Sequence, residues 1–298
     1  MSFTQELKYS WKTKNNFNIL IYLNLIVFIG IKLIELIYFF IGENPLEIVS
    51  WFAVPADLNT LIVRPWTIIS YMFTHENFLH ILFNLLAFYW FARMFLMYFS
   101  QRQLLSIYII GGLSGALFYI VAFNLITVFN KYSEISIAIG ASASVMAVVF
   151  SIALLVPNNS VYLLFFGEIK LKYIAFGFIV LDLVSIPLSN AGGHIAHIGG
   201  AFSGALFVYF YRKGTDITIW LSRLIYGIKE FFIPQKKLRI KVNTAKNQAR
   251  YENDEEYNAR KKAEQEEINA ILDKISRSGY ESLSDEEKVK LFNMSNRK

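Results

Sequence analysis

Six apolar stretches follow one another along the first 211 residues of the chain. A membrane-spanning helix needs about 20 mostly apolar residues. The stretches of suitable length are approximately 17–41, 78–100, 103–127, 137–156, 173–188 and 194–211. Polar or glycine-containing connections separate them. The pattern therefore predicts an all-α membrane protein, a bundle of six transmembrane helices of which the fifth is the shortest.

The connections predict further local structure. In the first, residues 42–77, the semi-apolar pieces Leu46–Val54 and Leu58–Trp66 indicate helices that lie in the membrane interface. A tight turn is expected at Ser100–Arg102, and residues 157–173 predict a small β-hairpin.

Composition separates a membrane domain from a segment of different character. Hydrophobic residues make up 55% and charged residues 17% of the chain, whereas soluble domains carry about 25% charged residues. This contrast excludes a disordered chain, a fibrous repeat and an ordinary soluble enzyme. Residues 212–298 hold 19 of the 29 Lys and Arg and 14 of the 23 Asp and Glu. We therefore expect an N-terminal segment at 1–16, a membrane domain at 17–213 and a charged tail at 214–298.

The basic residues outside the spans predict the orientation. Most of them fall on one side of the membrane: Lys8, Lys12, Lys14, Arg102, Lys170, Lys172 and the tail. Cytoplasmic loops carry the excess of Lys and Arg. Both termini are therefore expected in the cytoplasm, in a multi-pass protein of a cell membrane such as the bacterial inner membrane.

The tail is expected to be a cytoplasmic helical appendage. Ile217–Phe232 is amphipathic and suited to the inner leaflet, and Gln235–Lys246 is basic and suited to anionic headgroups. Tyr251–Ile271 predicts a charge-rich helix, and Ser282–Glu286 resembles an N-cap before a final one. The expected contacts of the tail are anionic lipid headgroups or a cytoplasmic partner.

Few residues in the apolar body can carry chemistry. The chain has no cysteine, so it has no disulfide, thiolate metal site or cysteine nucleophile. Its four histidines lie in or just before the second and sixth spans: His75, His80, His194 and His197. Polar residues within a span face a bundle interior or a wet cavity. At 1.5 Å per residue, Asn84, Ser142 and His197 each lie about 21 Å above the cytoplasmic edge. An amide, a hydroxyl and an imidazole on three parallel helices are thus at one level.

Each of the three even-numbered spans contains one short motif of polar and small residues. Gly140–Ala143 (GASA) resembles GxSG, His80–Asn84 matches HxxxN, and Ala196–Gly200 matches AHxxG. Their types and order resemble the rhomboid family, whose members are intramembrane serine proteases with a Ser–His dyad. The resemblance covers about residues 17–211.

The resemblance implies a role for each matching residue. Ser142 is the nucleophile, His197 the general base, and His80, Asn84 and the Ser142 backbone N–H form the oxyanion hole. The supporting residues are His75, which matches a histidine that braces the site from the first loop, Gly140 and Gly200. The implied activity is a serine-type endopeptidase that cleaves single-span membrane proteins in or near their transmembrane segment. Its partners are these substrates and the lipid bilayer; no cofactor, metal or nucleic acid is expected.

Several residues depart from the pattern or imitate it. Ala143 stands where the motif usually has Gly, and its methyl group is expected to widen the contact between spans four and six slightly. A second GxSG surrounds Ser114 inside span three, which indicates helix packing, and Ser144 is expected to face away from Ser142. Asp182 is isolated in span five and is expected to pair with a polar neighbour. No third carboxylate is evident, so we expect a dyad and not a triad.

Two other functions stay open. His75–His80 nearly spells the HExxH metal motif, but its extra residue puts the two histidines on different helix faces. A metalloenzyme would lose activity on chelation. The second alternative is a catalytically inactive rhomboid-like protein that binds membrane clients, whose cellular role would survive Ser142→Ala.

Overall fold

The structure, a computed structural model, describes residues 15–44, 46–163, 167–232 and 254–295. The chain divides into two compact units, Met1–Pro234 and Gln235–Lys298. Two features used in the sequence predictions lie outside the described residues: the N-terminal lysines Lys8, Lys12 and Lys14, and the basic segment Gln235–Lys246.

The first unit is mostly helical. Its helices are α1 (Asn16–Ile41), α2 (Leu46–Phe52), α3 (Leu58–Val63), α4 (Thr67–Ser70), α5 (Phe78–Phe95), α6 (Gln101–Leu125), α7 (Thr127–Asn130), α8 (Ser142–Leu155), α9 (Leu171–Ser185), α10 (Ala191–Arg212) and α11 (Ile219–Phe232). Its strands are β1 (Val54–Pro55), β2 (Ile137–Ala138), β3 (Ser160–Leu163) and β4 (Gly167–Lys170). Antiparallel pairing of β3 with β4 confirms the predicted hairpin, and the β1–β2 pair corrects the expectation of an all-α protein.

Among the described residues, three helices are long and apolar enough to cross a membrane: α1, α5 and α6. They coincide with the first three predicted spans. Many of their large apolar side chains are exposed, such as Phe40 at 76% and Leu125 at 76%. In a soluble protein such a surface would be unfavourable, whereas a lipid bilayer accepts it.

The fourth predicted span is shorter than expected. The apolar stretch 137–156 predicts a helix of spanning length, but α8 begins only at Ser142 and has 14 residues. The first residues of the predicted span instead form β2, in which Ala138 pairs with Val54 of β1. Gly140, with φ +120°, then turns the chain into α8. The partner strand lies more than 80 residues earlier in the chain, which is why local hydropathy does not reveal the break.

Helix α8 is the centre of the bundle. It packs against α5, α6, α9 and α10, and α10 also packs against α6. Every residue from Ala143 to Ala153 is buried. A helix that is apolar on all sides is stable when other helices surround it. The fold therefore places the end of its most buried helix, and with it Ser142, inside the bundle.

Helix α11 belongs to the first unit, although the sequence analysis assigned it to the tail. Ser222 Oγ lies 3.0 Å from Ser106 Oγ on α6. Just before α11, Asp216 Oδ2 accepts a hydrogen bond of 3.0 Å from Gln103 Nε2. These polar contacts attach α11 and its preceding turn to α6.

In its described part, residues 254–295, the second unit contains two α-helices, α12 (Asp254–Ser278) and α13 (Asp285–Ser295), with a short 3-10 helix at Tyr280–Ser282 between them. Ser284 and Glu287 form a capping box at the start of α13, with bonds of 3.3 Å and 2.7 Å, which confirms the predicted N-cap. Lys274 of α12 pairs with Glu287 at 2.9 Å. Ile271 and Leu283 supply buried apolar contact.

Candidate active site

A left-handed glycine positions the start of α8. Gly140 has φ +120°, a conformation that residues with a side chain rarely adopt, and its N–H donates to the Tyr71 carbonyl at 2.9 Å. A Cβ atom at Gly140 would lie 2.8 Å from His80 Nε2. Glycine therefore allows this turn to lie directly against a predicted site residue.

Ser142 is the first residue of α8, at a helix end without a side-chain cap. Side-chain caps begin four other long helices of the first unit: Asn15, Asn77, Ser100 and Asn190. At Ala141, which precedes Ser142, no side-chain cap is present. The N–H groups of a first helical turn lack partners within the helix and carry partial positive charge. The backbone around Ser142 can therefore donate hydrogen bonds to an anionic group.

A cavity of about 370 Å³ collects the predicted chemistry. Ser142 on α8, His197 on α10, and His80 and Asn84 on α5 all line it. Other residues line the rest of it, among them apolar side chains from α5, α8 and α9 and the Asp182 carboxyl group. The structure thus brings together four polar residues from three helices that the sequence analysis selected separately.

His80 and Asn84 lie one turn apart on α5. The Asn84 Nδ2 group donates to the His80 carbonyl at 2.9 Å, and the His80 N–H donates to the Asn77 cap at 2.9 Å. An amide nitrogen carries two protons, so Asn84 keeps a second donor for a group bound in the cavity.

His75 contacts the loop that precedes Ser142. Its Nε2 accepts a hydrogen bond of 3.4 Å from the Ala141 N–H, and its Nδ1 lies 3.3 Å from the Phe73 carbonyl. The two contacts require a neutral ring that is protonated on Nδ1. Burial, together with the nearby His80, lowers the pKa of His75 from 6.5 to about 4. His75 therefore stays neutral and fixes the loop, as the bracing role requires.

Glycines bring α10 against α8. A Cβ atom at Gly200 would lie 2.0 Å from the Ala143 carbonyl oxygen, and one at Gly204 would lie 2.3 Å from that of Ala147. The Ala143 methyl group points elsewhere: a Cβ atom at Gly115 of α6 would lie 2.5 Å from it. The expected widening between spans four and six is therefore wrong, because Gly115 accommodates the extra methyl.

Asp182 is the site residue that the sequence analysis missed. Its Oδ1 lies 2.8 Å from His197 Nδ1 and also 2.8 Å from His194 Nδ1. Asp182 does pair with a polar neighbour, as expected, but one of these neighbours is the predicted general base. The expectation that no carboxylate accompanies His197 is therefore wrong. The available signal was a lone carboxylate within an apolar stretch, which is costly unless it has a partner.

Comparison with known proteins identifies the family. A model described as the rhomboid domain matches residues 63–214, just over half of the chain. The chain belongs to the rhomboid family. The match includes all three motifs and every predicted site residue of this rhomboid.

One curated relative supports the same assignment. RHOMBOID-like protein 12, mitochondrial, of Arabidopsis thaliana is 29% identical over 160 residues, or 51% of this chain and 48% of that protein. This rhomboid therefore spans about half the length of the relative. A separate model, a family of unknown function (DUF6576), matches residues 251–297 in the second unit.

Two serines that could be mistaken for the nucleophile have other environments. Ser114 Oγ donates to the Gly199 carbonyl at 2.7 Å, which ties α6 to α10 and agrees with the packing interpretation of the second GxSG. Ser144 Oγ is buried and has no hydrogen-bond partner among the described residues. Ser142, by contrast, lines the cavity together with His197.

The near-HExxH segment does not form a metal site with the other histidines in the described structure. His75 and His80 contact each other edge to face, with ring centroids 5.1 Å apart. The described residues do contain one cluster whose ligand atoms all lie within 4.8 Å of one another, formed by Asp182, His194 and His197. These three residues are therefore the candidate metal ligands among the described residues.

Proposed function

We propose that this rhomboid is an intramembrane serine endopeptidase that cleaves single-span membrane proteins in or near their transmembrane segment. The observation that carries the proposal is the shared cavity: Ser142, at an uncapped helix end, lies in it with His197, His80 and Asn84. Family membership supports it, because rhomboids are a family of intramembrane serine proteases.

We also propose that α8, α9 and α10 join α1, α5 and α6 in a six-span bundle of a cell membrane, with the N-terminus and the end of α10 on the cytoplasmic side. Helix α8 is about 21 Å long at 1.5 Å per residue, shorter than a hydrocarbon core of about 30 Å. Its N-terminal end would therefore lie below the outer surface, where water and a substrate segment can reach Ser142 through the cavity.

The proposed reaction uses the two side chains in sequence. His197 Nε2 takes the Ser142 hydroxyl proton as Oγ attacks the scissile carbonyl, and the same proton later passes to the leaving amine. Water, deprotonated by His197, then attacks the acyl-enzyme; the bond between the acyl carbon and Ser142 Oγ breaks, and His197 returns the proton to Oγ.

The negative oxygen of the tetrahedral intermediate needs hydrogen-bond donors. We expect three groups of residues that line the cavity to supply them: the Ser142 N–H, the second Asn84 Nδ2 proton and His80. Loss of one such donor typically lowers kcat about 10²–10³-fold. An amide carbonyl within a membrane-spanning helix is already hydrogen-bonded, so the substrate must unwind locally before it reaches these donors.

A fluorescent fluorophosphonate tests the proposal on the detergent-solubilised full chain. We expect labelling of the wild type and of Ser144→Ala, a matched control two residues from the nucleophile on the same helix. Ser142→Ala and His197→Ala should abolish both labelling and cleavage of a single-span substrate. Labelling that persists in Ser142→Ala would refute the choice of nucleophile.

The same preparation separates the remaining alternatives. A serine mechanism should be insensitive to metal chelation, whereas a metalloenzyme would be inactivated. A folded wild type without labelling, combined with a cellular role that survives Ser142→Ala, would favour client binding over proteolysis.

A further inference from the structure

Asp182 occupies an unusual position for a charged residue. Helix α9 is largely exposed and apolar, and its buried residues are Leu171, Ala175 and Asp182. Asp182 is 5% exposed. A carboxylate within an apolar segment is costly unless other polar groups compensate it, and such residues commonly mark functional sites. The inward position of Asp182 therefore calls for a specific partner.

The partners are two imidazoles on the neighbouring helix. His194 and His197 are three residues apart, so they lie on the same face of α10. Each places Nδ1 at 2.8 Å from Asp182 Oδ1, within the range of charge-assisted hydrogen bonds. Since a carboxylate can only accept, both rings carry a proton on Nδ1.

This arrangement determines the tautomer of His197, which lines the same cavity as Ser142. With Nδ1 of His197 protonated and held by Asp182, the neutral ring has its lone pair on Nε2. Nε2 is the atom that must take the Ser142 proton in the proposed reaction. Without the carboxylate, the ring could adopt the other tautomer or rotate, and either change would remove the base.

We infer that Asp182 is a positioning residue that makes the catalytic group a Ser142–His197–Asp182 triad. The inference rests on the proposed protease function. When the Ser142 proton moves to His197 Nε2, Asp182 stays ionised and stabilises the imidazolium through the Nδ1–H bond. The Nε2 proton then leaves with the amine, and the ring returns to its starting state.

His194 gives this triad a distinctive support. Its Nδ1–H donates to the same oxygen that holds His197, so the carboxylate remains anchored to α10 by two donors. His194 thus acts on Asp182, and only through Asp182 on His197. Its removal should matter less than the removal of the carboxylate itself.

The distances favour hydrogen bonds over a metal at these three residues. Ligands about 2.1 Å from a tetrahedral zinc ion are separated from each other by about 3.4 Å. Both nitrogen–oxygen separations at Asp182 are 2.8 Å, which is shorter. The groups therefore contact each other directly, and metal dependence becomes an outcome of the test.

The test compares Asp182→Asn, Asp182→Glu and His194→Phe with the wild type in detergent. Steady-state cleavage of a single-span substrate gives kcat and KM, and fluorophosphonate inactivation gives the reactivity of Ser142. In triad proteases, replacing the aspartate by asparagine lowers kcat about 10⁴-fold. We expect a loss of at least about 100-fold in kcat for Asp182→Asn, with KM changed less than about threefold.

Two comparisons distinguish positioning from a purely structural role. Asp182→Glu keeps the carboxylate and should recover part of the lost kcat, and His194→Phe should lose less than about tenfold. Thermal unfolding of each variant reports its stability. If Asp182→Asn and Asp182→Glu lost activity equally and both had lowered melting temperatures, the role of Asp182 would be structural only.

Other results would overturn the inference in distinct ways. A labelled wild type with an Asp182→Asn variant within about threefold of its kcat would refute the triad but leave the protease proposal intact. Activity that is lost with EDTA and restored by zinc would assign the cluster to a metal. A folded wild type whose Ser142 is not labelled would refute the protease proposal and the triad together.

Discussion

Replacing Gly200 by alanine should disable the site through a displacement that the structure allows us to size. A Cβ atom there would lie 2.0 Å from the Ala143 carbonyl oxygen, whereas real Cβ contacts are essentially never shorter than 3.0 Å. The α8–α10 interface must therefore open by about 1 Å, and overpacking of this kind costs about 1–3 kcal/mol.

This displacement would change the separation of Ser142 and His197, the two residues of the proposed reaction. Gly200 lies three residues after His197 on α10, and Ala143 directly follows Ser142 on α8. A misplacement of about 1 Å between reacting groups can lower the rate about 10²-fold. We therefore expect Gly200→Ala to lower kcat/KM about 100-fold and to reduce the melting temperature.

The assay measures cleavage and thermal unfolding of the same detergent preparations. Gly30→Ala is the matched control, because Gly30 lies within α1 and a Cβ there would meet nothing within 4 Å. Alanine is the better helix former, so this control should be fully active.

A double substitution tests which atom causes the clash. The Gly200 contact is with the Ala143 carbonyl and not with its methyl group. Ala143→Gly should therefore fail to rescue Gly200→Ala, and rescue would refute the reasoning, as would wild-type activity of Gly200→Ala alone.

The remaining predictions concern three other parts of the site. Because burial, and secondarily His80, lowers the pKa of His75 from 6.5 to about 4, the unfolded chain binds a proton that the folded protein excludes. The free energy of unfolding should then fall by about 2 kcal/mol from pH 7 to pH 5. Melting curves of His75→Gln should lack this pH-dependent loss of stability. The same pH dependence in His75→Gln as in the wild type would contradict the prediction. Asn84→Ala should lower kcat about 10–10³-fold with little change in KM, and unaltered turnover would remove Asn84 from the oxyanion hole. Gly115→Ala should lower the melting temperature because its Cβ would lie 2.5 Å from that of Ala143, and Ala143→Gly should restore part of the loss; additive effects in this double-mutant cycle would argue against the contact.

The prediction of the first three spans succeeded because hydropathy and helix capping act over short sequence distances. The turn at Ser100 is a local capping box with Gln103, and the hairpin pairs strands separated by only a few residues. The motifs that resemble the rhomboid family also identified residues that line one cavity.

Other features depend on contacts between distant parts of the chain. The start of α8 depends on the pairing of β2 with β1. The placement of α11 in the first unit depends on its hydrogen bonds to α6. The Ala143 methyl group fits because Gly115 of α6 leaves room for it. None of these partners is visible in the local pattern around the residue concerned.

Sequence alone thus determined the first apolar helices, their order and the charged tail, because each depends on composition or on periodicity along one helix. The resemblance of three motifs to the rhomboid family grouped the candidate site residues Ser142, His197, His80 and Asn84. Only the tertiary structure decided that α8 begins at Ser142 and that Asp182 contacts His197. A hydrogen bond between helices requires both the rotation of each helix about its axis and their separation. Packing of the whole bundle sets these two quantities.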